Sequence, residues 1–110
     1  MKESDKPYVG DLEKFVLQAI LNLNNSAYGM EIREEIRKKI NKSLSYAAIY
    51  TTLERLKNKK MLSTEKGEIS EERGGRAKVY FSVTGLGQVT LREALIDFKK
   101  IGILGNLSHA

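Results

Sequence analysis

The sequence offers few side chains that could carry out catalysis or bind a metal. It contains one histidine, His109 in a polar C-terminal tail, and no cysteine, so a zinc site would lack its usual ligands. No serine or threonine stands with histidine in a triad-like context, and no glycine-rich phosphate loop with a lysine follows a predicted strand. The adjacent carboxylates Glu34 and Glu35, and Glu71 and Glu72, are typical of charged surface. We therefore predict a protein that is not an enzyme and uses no metal or cofactor.

The most informative stretch is a charged amphipathic helix predicted over residues 44–61. At about 100° per residue, its apolar residues fall on one face, namely Ile49, Leu53 and Leu56. The opposite face begins with the small residues Ala47 and Thr51, and long charged side chains appear only from Glu54 onward. Small side chains let this face approach another surface closely. The alternative is that Ala47 and Ala48 pack against a neighbouring helix.

The positive charge of the chain follows this helix. The sequence holds 19 Lys and Arg against 14 Asp and Glu, a formal charge of +5, which favours polyanionic partners. Residues 55–60 include four cations and no acid, whereas residues 65–72 are locally acidic. Ser45 is placed to cap the helix N-terminus.

The first ten residues are polar, and no apolar window reaches the roughly 20 residues needed to cross a bilayer. We expect a soluble, cytoplasmic protein without a membrane partner.

Two further helices are predicted before this one. After an N-terminal arm of residues 1–10, helix one begins near Asp11, and Leu17 and Leu21 widen its apolar stripe enough to meet a partner subunit. A polar turn follows the helix. A second amphipathic helix runs over residues 26–41, and the linker after it is short. The helix over residues 44–61 must therefore turn sharply away, as in a helix-turn-helix.

Gly29 stands out in the first turn of helix two. Glycine costs about 1 kcal/mol relative to alanine in a helix interior. We expect that a tight helix crossing at this point accounts for the residue.

The pattern after Met61 changes from helical to alternating. Val79, Phe81 and Val83 lie on one side of a predicted strand that pairs with a first strand at about residues 62–66. The tip of this hairpin lies within residues 67–76. A long polar hairpin that follows a helix-turn-helix is a wing.

The last predicted helix begins after a Thr84 cap and ends at Gly102 and Gly105. It is more apolar than its own domain can cover, which favours a dimer. The fold class is then mainly α with a small β-hairpin, a winged helix-turn-helix with N- and C-terminal dimerisation helices. The predicted divisions are the arm at 1–10, the winged helix-turn-helix at 11–84, the C-terminal dimerisation helix at 85–104 and a tail at 105–110.

Several short motifs occur in an order and spacing that are specific together. They are Ala27-Tyr28-Gly29-Met30-Glu31-Ile32 in helix two, Ile49-Tyr50-Thr51-Thr52-Leu53-Glu54-Arg55-Leu56 in helix three, Gly74-Gly75-Arg76, Lys78 and Tyr80-Phe81 in the wing, and Val83-Thr84-Gly85-Leu86-Gly87 at the last helix. In these motifs the chain, over roughly residues 12–98, resembles the PadR family of transcriptional regulators. The family commonly has glycine where Lys60 stands and often a cation where Val79 stands.

The resemblance implies a homodimeric repressor of the short, PadR-like kind, with helix three in the major groove of double-stranded DNA and the wing along the phosphates. Residues predicted to contact DNA are Ser45, Tyr46, Ala47, Tyr50, Thr51, Arg55, Arg73, Arg76 and Lys78. Tyr50 lies to one side, where it would contact a phosphate or pack on helix one. Residues predicted to form the dimer contact or a ligand pocket are Phe15, Leu91, Leu95, Phe98 and Ile101.

Two questions stay open at this level. A small-molecule inducer lodged among Phe15, Leu95 and Phe98 between subunits could release the DNA, and the alternative is a dry, well-packed interface. The whole chain could also be a winged-helix protein-interaction or assembly module that does not bind DNA. The cations at the end of helix three and in the wing favour the DNA-binding interpretation.

Overall fold

The computed structural model describes residues 9–69 and 77–102. The elements in chain order are α1 (Asp11–Asn22), α2 (Gly29–Ile40), α3 (Tyr46–Asn58), β1 (Leu62–Ile69), β2 (Ala77–Val83) and α4 (Gly85–Lys100). This order confirms the predicted class, mainly α with a small β-hairpin in a winged-helix arrangement. Most of the predicted arm, the hairpin tip with Arg73 and Arg76, and the tail with His109 lie outside the described residues. The division into domains stays a prediction.

The helix starts follow from local hydrogen bonding. The Ser45 hydroxyl accepts a hydrogen bond from the Ala48 N–H (3.1 Å), and the Thr84 hydroxyl accepts one from the Gly87 N–H (3.1 Å). Both caps were predicted, because a hydroxyl just before a helix satisfies a backbone donor that has no partner within the helix. At the start of α2 the Glu31 carboxylate accepts from the Tyr28 N–H (3.1 Å).

The core lies where α1, α2 and α3 meet the base of the hairpin. Its fully buried side chains include Val16, Leu17, Ile20, Ile32, Ile49, Leu53, Leu56 and Met61. The prediction that Leu17 widens α1 toward a partner is wrong, because this residue is buried in the core of its own chain. Leu21 is partly buried against the same core. The three-helix core is thus closed by its own sheet, which leaves the outer face of α3 uncovered.

The hairpin is tied to the turn between α1 and α2. β1 and β2 pair antiparallel from Leu62 opposite Val83 onward. Ala27 forms an isolated β-bridge to β2, since its N–H donates to the Phe81 carbonyl (3.1 Å) and its carbonyl accepts from the Phe81 N–H (2.7 Å). The Asn25 side chain likewise accepts from the Val83 N–H (2.7 Å) and donates to its carbonyl (3.3 Å). Because Ala27 is held in this extended bridge, α2 begins at Gly29 rather than near Ser26.

The turn between α3 and β1 has a backbone conformation that favours glycine. Lys60 has φ 66°, a left-handed conformation that glycine adopts without strain. Its carbonyl accepts a hydrogen bond from the Thr84 hydroxyl (2.8 Å). The next residue, Met61, donates its N–H to the Leu56 carbonyl (2.9 Å). The chain thus closes α3 with a lysine in a backbone conformation that disfavours a side chain.

We predict that Lys60→Gly raises the free energy of unfolding by about 1 kcal/mol. A left-handed backbone costs a residue with a side chain roughly 1–2 kcal/mol, and the greater freedom of glycine in the unfolded chain offsets part of the gain. Urea denaturation followed by circular dichroism measures the change. The control Lys38→Gly, on an exposed position of α2, should instead lower stability by about 0.5–1 kcal/mol. Equal destabilisation by both variants would contradict the conclusion that the left-handed backbone at Lys60 is strained.

The first turn of α4 packs directly on this turn. A Cβ atom at Gly87 would lie 2.5 Å from the Met61 carbonyl oxygen and 2.7 Å from a Val83 methyl, so only glycine fits. The helix ends at Lys100, and Gly102 follows with φ 85°. Over the ranges 9–69 and 77–102, no helix is long and apolar enough to span a membrane.

Candidate nucleic-acid interface

The outer face of α3 is exposed, as its sequence pattern predicted. Ile49, Thr52, Leu53 and Leu56 face the core, and the buried Thr52 hydroxyl donates to the Ala48 carbonyl (2.7 Å). The predicted contact residues all lie on the solvent side, namely Ser45, Tyr46, Ala47, Tyr50, Thr51 and Arg55, and Glu54, Lys57 and Asn58 are exposed there as well. The alternative of a buried start is wrong for Ala47, which is exposed, whereas Ala48 is half-buried at the edge of the face. This face presents hydroxyl, methyl, phenol and guanidinium groups, together with the Glu54 carboxylate, from one helix.

Two tyrosines one helical turn apart form the edge of this face. The rings of Tyr46 and Tyr50 stack with centroids 6.3 Å apart and an angle of 20° between their planes. The Arg33 guanidinium lies 5.0 Å from the Tyr46 ring centroid, and its Nε–H donates to the Leu44 carbonyl. The hydroxyl end of Tyr50 lies at Gly29, the first residue of α2. The neighbour that accounts for Gly29 is therefore a tyrosine side chain.

The base of the wing meets the same end of α2. The Lys78 ammonium lies 4.5 Å from the Tyr28 ring centroid, and the Tyr28 and Tyr80 rings make an edge-to-face contact at 5.7 Å. Tyr28 precedes Gly29, so consecutive residues contact the wing on one side and α3 on the other. The structure thus brings Lys78 and the α3 face to one end of α2. Arg73 and Arg76 belong to the undescribed tip.

The cations that follow the α3 face differ in their surroundings. Arg55 and Lys57 are exposed in the last turns of the helix, and Lys60 is exposed in the turn after it. Lys59 forms an ion pair with Glu13 of α1 at 2.7 Å. The pair joins the end of α3 to the start of α1 and partly neutralises one of the four cations of this segment.

Sequence reasoning missed Tyr28 and Arg33 as neighbours of this surface. In the sequence pattern Arg33 is one of many charged residues on α2. Tyr28 falls on the apolar side of the same predicted helix. The available signal was the spacing of four residues between Gly29 and Arg33, which matches the spacing between Tyr46 and Tyr50. Side chains four residues apart share a helix face, so two such pairs can meet across a helix crossing.

A family model described as the transcriptional regulator PadR-like family matches residues 16–93 of the sequence. The chain belongs to the PadR-like family. A search among curated proteins found no match. The winged helix described above is therefore that of PadR-like transcription regulators.

Solved structures place this PadR-like chain among winged-helix proteins. A PadR-like transcription factor from Bacteroides fragilis is 28% identical, with a TM-score of 0.71 and 86% of each chain covered. A winged-helix DNA-binding protein from STIV is 20% identical, with a TM-score of 0.69, covering 88% of this chain and 97% of that one. BpsR of Bordetella bronchiseptica, whose DNA binding is regulated by 6-hydroxynicotinic acid, is 17% identical, with a TM-score of 0.64, covering 92% of this chain and 65% of BpsR. The last two likenesses show the fold alone.

The PadR-like chain also presents apolar side chains on α4. Leu95 is 50% exposed, and Phe98, Ile101 and Phe15 are exposed as well. The Lys14 ammonium lies 5.4 Å from the Phe98 ring centroid, so this end of α4 lies beside α1. Leu91, predicted to belong to the same contact, is only 4% exposed and packs in the core of its own chain. Leu91 is thus not available for this contact, and the role of Phe15, Leu95, Phe98 and Ile101 stays a prediction.

A cleft beside this surface has a different lining from the predicted pocket. It has a volume of about 100 Å³ and lies between α1 and α2. Phe15, Ala19, Ile36 and Ile40 are its apolar residues, and Leu95 and Phe98 are not among its lining residues. Ligand pockets commonly measure about 300–1,000 Å³, so this cleft of the single chain is too small for most organic ligands.

The outer side of α2 shows the ordinary electrostatics of a solvated helix. Arg37 donates hydrogen bonds to Glu34, which lowers the pKa of the Glu34 carboxyl and raises the pKa of the Arg37 guanidinium. Both groups are at the surface. Within the described ranges, no group of three or more His, Cys, Asp or Glu side chains could hold a metal ion.

Proposed function

We propose that this PadR-like chain is a sequence-specific DNA-binding repressor that acts as a homodimer in the cytoplasm and has no enzymatic activity. The observation that carries the proposal is the uncovered outer face of α3. A rigid helix with small residues at its exposed start fits the major groove, which admits one α-helix.

The groups on this face suit the edges of base pairs. Ser45, Tyr46, Ala47, Thr51 and Arg55 would face the bases. A guanidinium such as that of Arg55 can donate two hydrogen bonds to guanine, and the methyl groups of Ala47 and Thr51 can contact the thymine methyl. Tyr50 and Lys78 stand to the side of this face and would contact phosphates. Arg73 and Arg76 are proposed as phosphate contacts from the sequence alone.

The exposed end of α4 supports a homodimer. Leu95, Phe98 and Ile101 would pair with α1 of a second copy, near Phe15, and so remove apolar surface from water. A two-fold dimer places two copies of α3 about 34 Å apart, which is one turn of DNA and requires a roughly palindromic operator.

Release by a small molecule is part of the proposal. The fold is compatible with such control, since BpsR binds DNA under the regulation of 6-hydroxynicotinic acid. In this chain an inducer would lodge among Phe15, Leu95 and Phe98 between the subunits, where it could change the distance between the two α3 helices. The cleft between α1 and α2 measures only about 100 Å³, so the inducer is proposed to lie between the subunits rather than in this cleft.

Salt dependence separates this proposal from a protein-interaction module. Each phosphate contact releases counterions, so log K for DNA falls linearly with log salt by about 0.9 per contact. We expect binding to mixed genomic DNA that weakens steeply between low and physiological salt. Weak affinity that is the same at every salt concentration would favour the protein-interaction alternative.

We predict that Lys78→Met lowers affinity equally for all DNA sequences and reduces the salt slope by about one. The methionine retains an unbranched apolar side chain that can lie over Tyr28 but removes the charge. Fluorescence anisotropy over a salt series measures both quantities. Lys100→Met on the last turn of α4 is the control and should change neither. An unaltered slope for Lys78→Met would place this side chain away from the phosphates.

A further inference from the structure

Two pairs of side chains meet where α2 crosses α3. Gly29 and Arg33 are four residues apart on α2, and Tyr46 and Tyr50 are four residues apart on α3. Each pair therefore occupies one helix face. Gly29 meets the hydroxyl end of Tyr50, and Arg33 lies over the ring of Tyr46. The tyrosines stack on each other between these two contacts.

We infer that Gly29 and Arg33 are positioning residues for DNA recognition, because they fix the Tyr46–Tyr50 stack at the edge of the α3 face. This inference rests on the proposed DNA-binding function. It assigns to α2 a role beyond packing: its first two turns set the orientation of side chains that α3 presents to DNA.

Burial alone does not hold the two rings in place. Tyr46 is 41% exposed and Tyr50 is 46% exposed, so burial would leave each side chain free to adopt another rotamer toward solvent. The restraint comes from specific contacts with α2. Arg33 also donates to the Leu44 carbonyl, which fixes the chain just before α3 and so fixes the position from which Tyr46 projects. A preformed stack loses little side-chain entropy when DNA binds.

Gly29 matters because it leaves room. A Cβ atom there would lie 2.8 Å from the Tyr50 hydroxyl oxygen and 2.9 Å from the ring carbon that bears it. These atoms are the far end of a flexible side chain, so an added methyl would displace Tyr50 rather than break the fold. Gly29→Ala is therefore expected to move the tyrosine stack at little cost in stability.

The chain offers a matched control. Gly85 is the first residue of α4, as Gly29 is of α2, and a Cβ atom at Gly85 would meet nothing within 4 Å. Both substitutions replace glycine by alanine at the start of a helix. Only the substitution at Gly29 reaches a tyrosine, so the difference between the two variants isolates the contact with Tyr50.

The test uses the full chain and a duplex recovered by in vitro selection with the wild-type protein. We expect Gly29→Ala and Gly85→Ala to melt within about 3 °C of each other. In NMR spectra of the free protein, the ring proton shifts of Tyr46 and Tyr50 should change in Gly29→Ala only. The ratio of selected-site to non-specific affinity should fall about tenfold in Gly29→Ala and stay at the wild-type value in Gly85→Ala.

A second variant separates positioning from direct contact. Arg33→Met removes the guanidinium from Tyr46, and we expect altered Tyr46 ring shifts and a lower specificity ratio with an unchanged salt slope. A slope reduced by about one would show that Arg33 contacts a phosphate itself and would overturn its positioning role. Unchanged ring shifts in Gly29→Ala, or changed shifts with an unchanged specificity ratio, would overturn the role of Gly29. Wild-type protein that selects no DNA would refute the proposed function instead, while the ring shifts would still report on the stack.

Discussion

Replacing Leu95 with glutamate is expected to abolish tight binding to an operator with two half-sites. Leu95 is half-exposed on α4 beside Phe98. In the proposed dimer its side chain would be buried against the partner subunit. An unpaired carboxylate in an apolar interface is strongly unfavourable. Two linked half-site contacts bind about 10²–10⁴-fold more tightly than one, so a monomer should lose at least about 100-fold in operator affinity.

Light scattering gives the oligomeric state of this variant, and fluorescence anisotropy gives its operator affinity. Because Leu95 is half-exposed in the single chain, Leu95→Glu should keep the circular dichroism spectrum of a folded winged helix. Glu93→Lys, a charge change at an exposed position on the side of α4 opposite Leu95, should remain a dimer and bind normally. A folded Leu95→Glu monomer that still binds the full operator tightly would contradict the dimer model.

Replacing Thr51 with leucine is expected to reduce operator affinity by about 10- to 100-fold, the value of one good base contact. Thr51 lies on the exposed face of α3, where a larger side chain would hold the helix away from the base edges. Non-specific affinity depends on phosphates and should change little. The specificity ratio should therefore fall by nearly the full factor.

The control for this substitution is Thr51→Ser, which keeps the hydroxyl and adds no bulk. It should lose less than Thr51→Leu, because the helix can still approach the groove. Competition between selected and random duplexes at one salt concentration measures the ratio directly. Equal loss of specific and non-specific affinity in Thr51→Leu would remove Thr51 from the set of base-reading residues.

Features set by local chemistry could be predicted from the sequence. The caps at Ser45 and Thr84 depend on one hydroxyl and a nearby backbone N–H, and the hairpin follows from the alternation that ends at Val83. The exposed face of α3 follows from its helical period. Each of these depends on residues close together in the chain, which is why pattern alone was sufficient.

Features set by tertiary contacts could not be predicted from the sequence. Helical periodicity gives Leu91 and Leu95 the same apolar character, but the crossing of α4 over the core buries only Leu91. Leu17 of α1 is likewise buried by packing within its own chain. The start of α2 depends on Ala27 pairing with a strand more than 50 residues away. The contacts of Tyr46 and Tyr50 with α2 depend on the geometry of a helix crossing, which the sequence pattern does not predict.

The most direct measurement of sequence-specific DNA binding is a hydroxyl-radical footprint on the DNA that flanks the gene of this protein. The proposal predicts two protected segments related by a two-fold axis, with centres about 10 base pairs or 34 Å apart on one face of the duplex. Thr51→Leu should lose this protection at a protein concentration at which the wild type is saturated. DNA that the wild-type protein coats uniformly, or leaves wholly unprotected at concentrations that bind random duplex, would contradict sequence-specific recognition by α3.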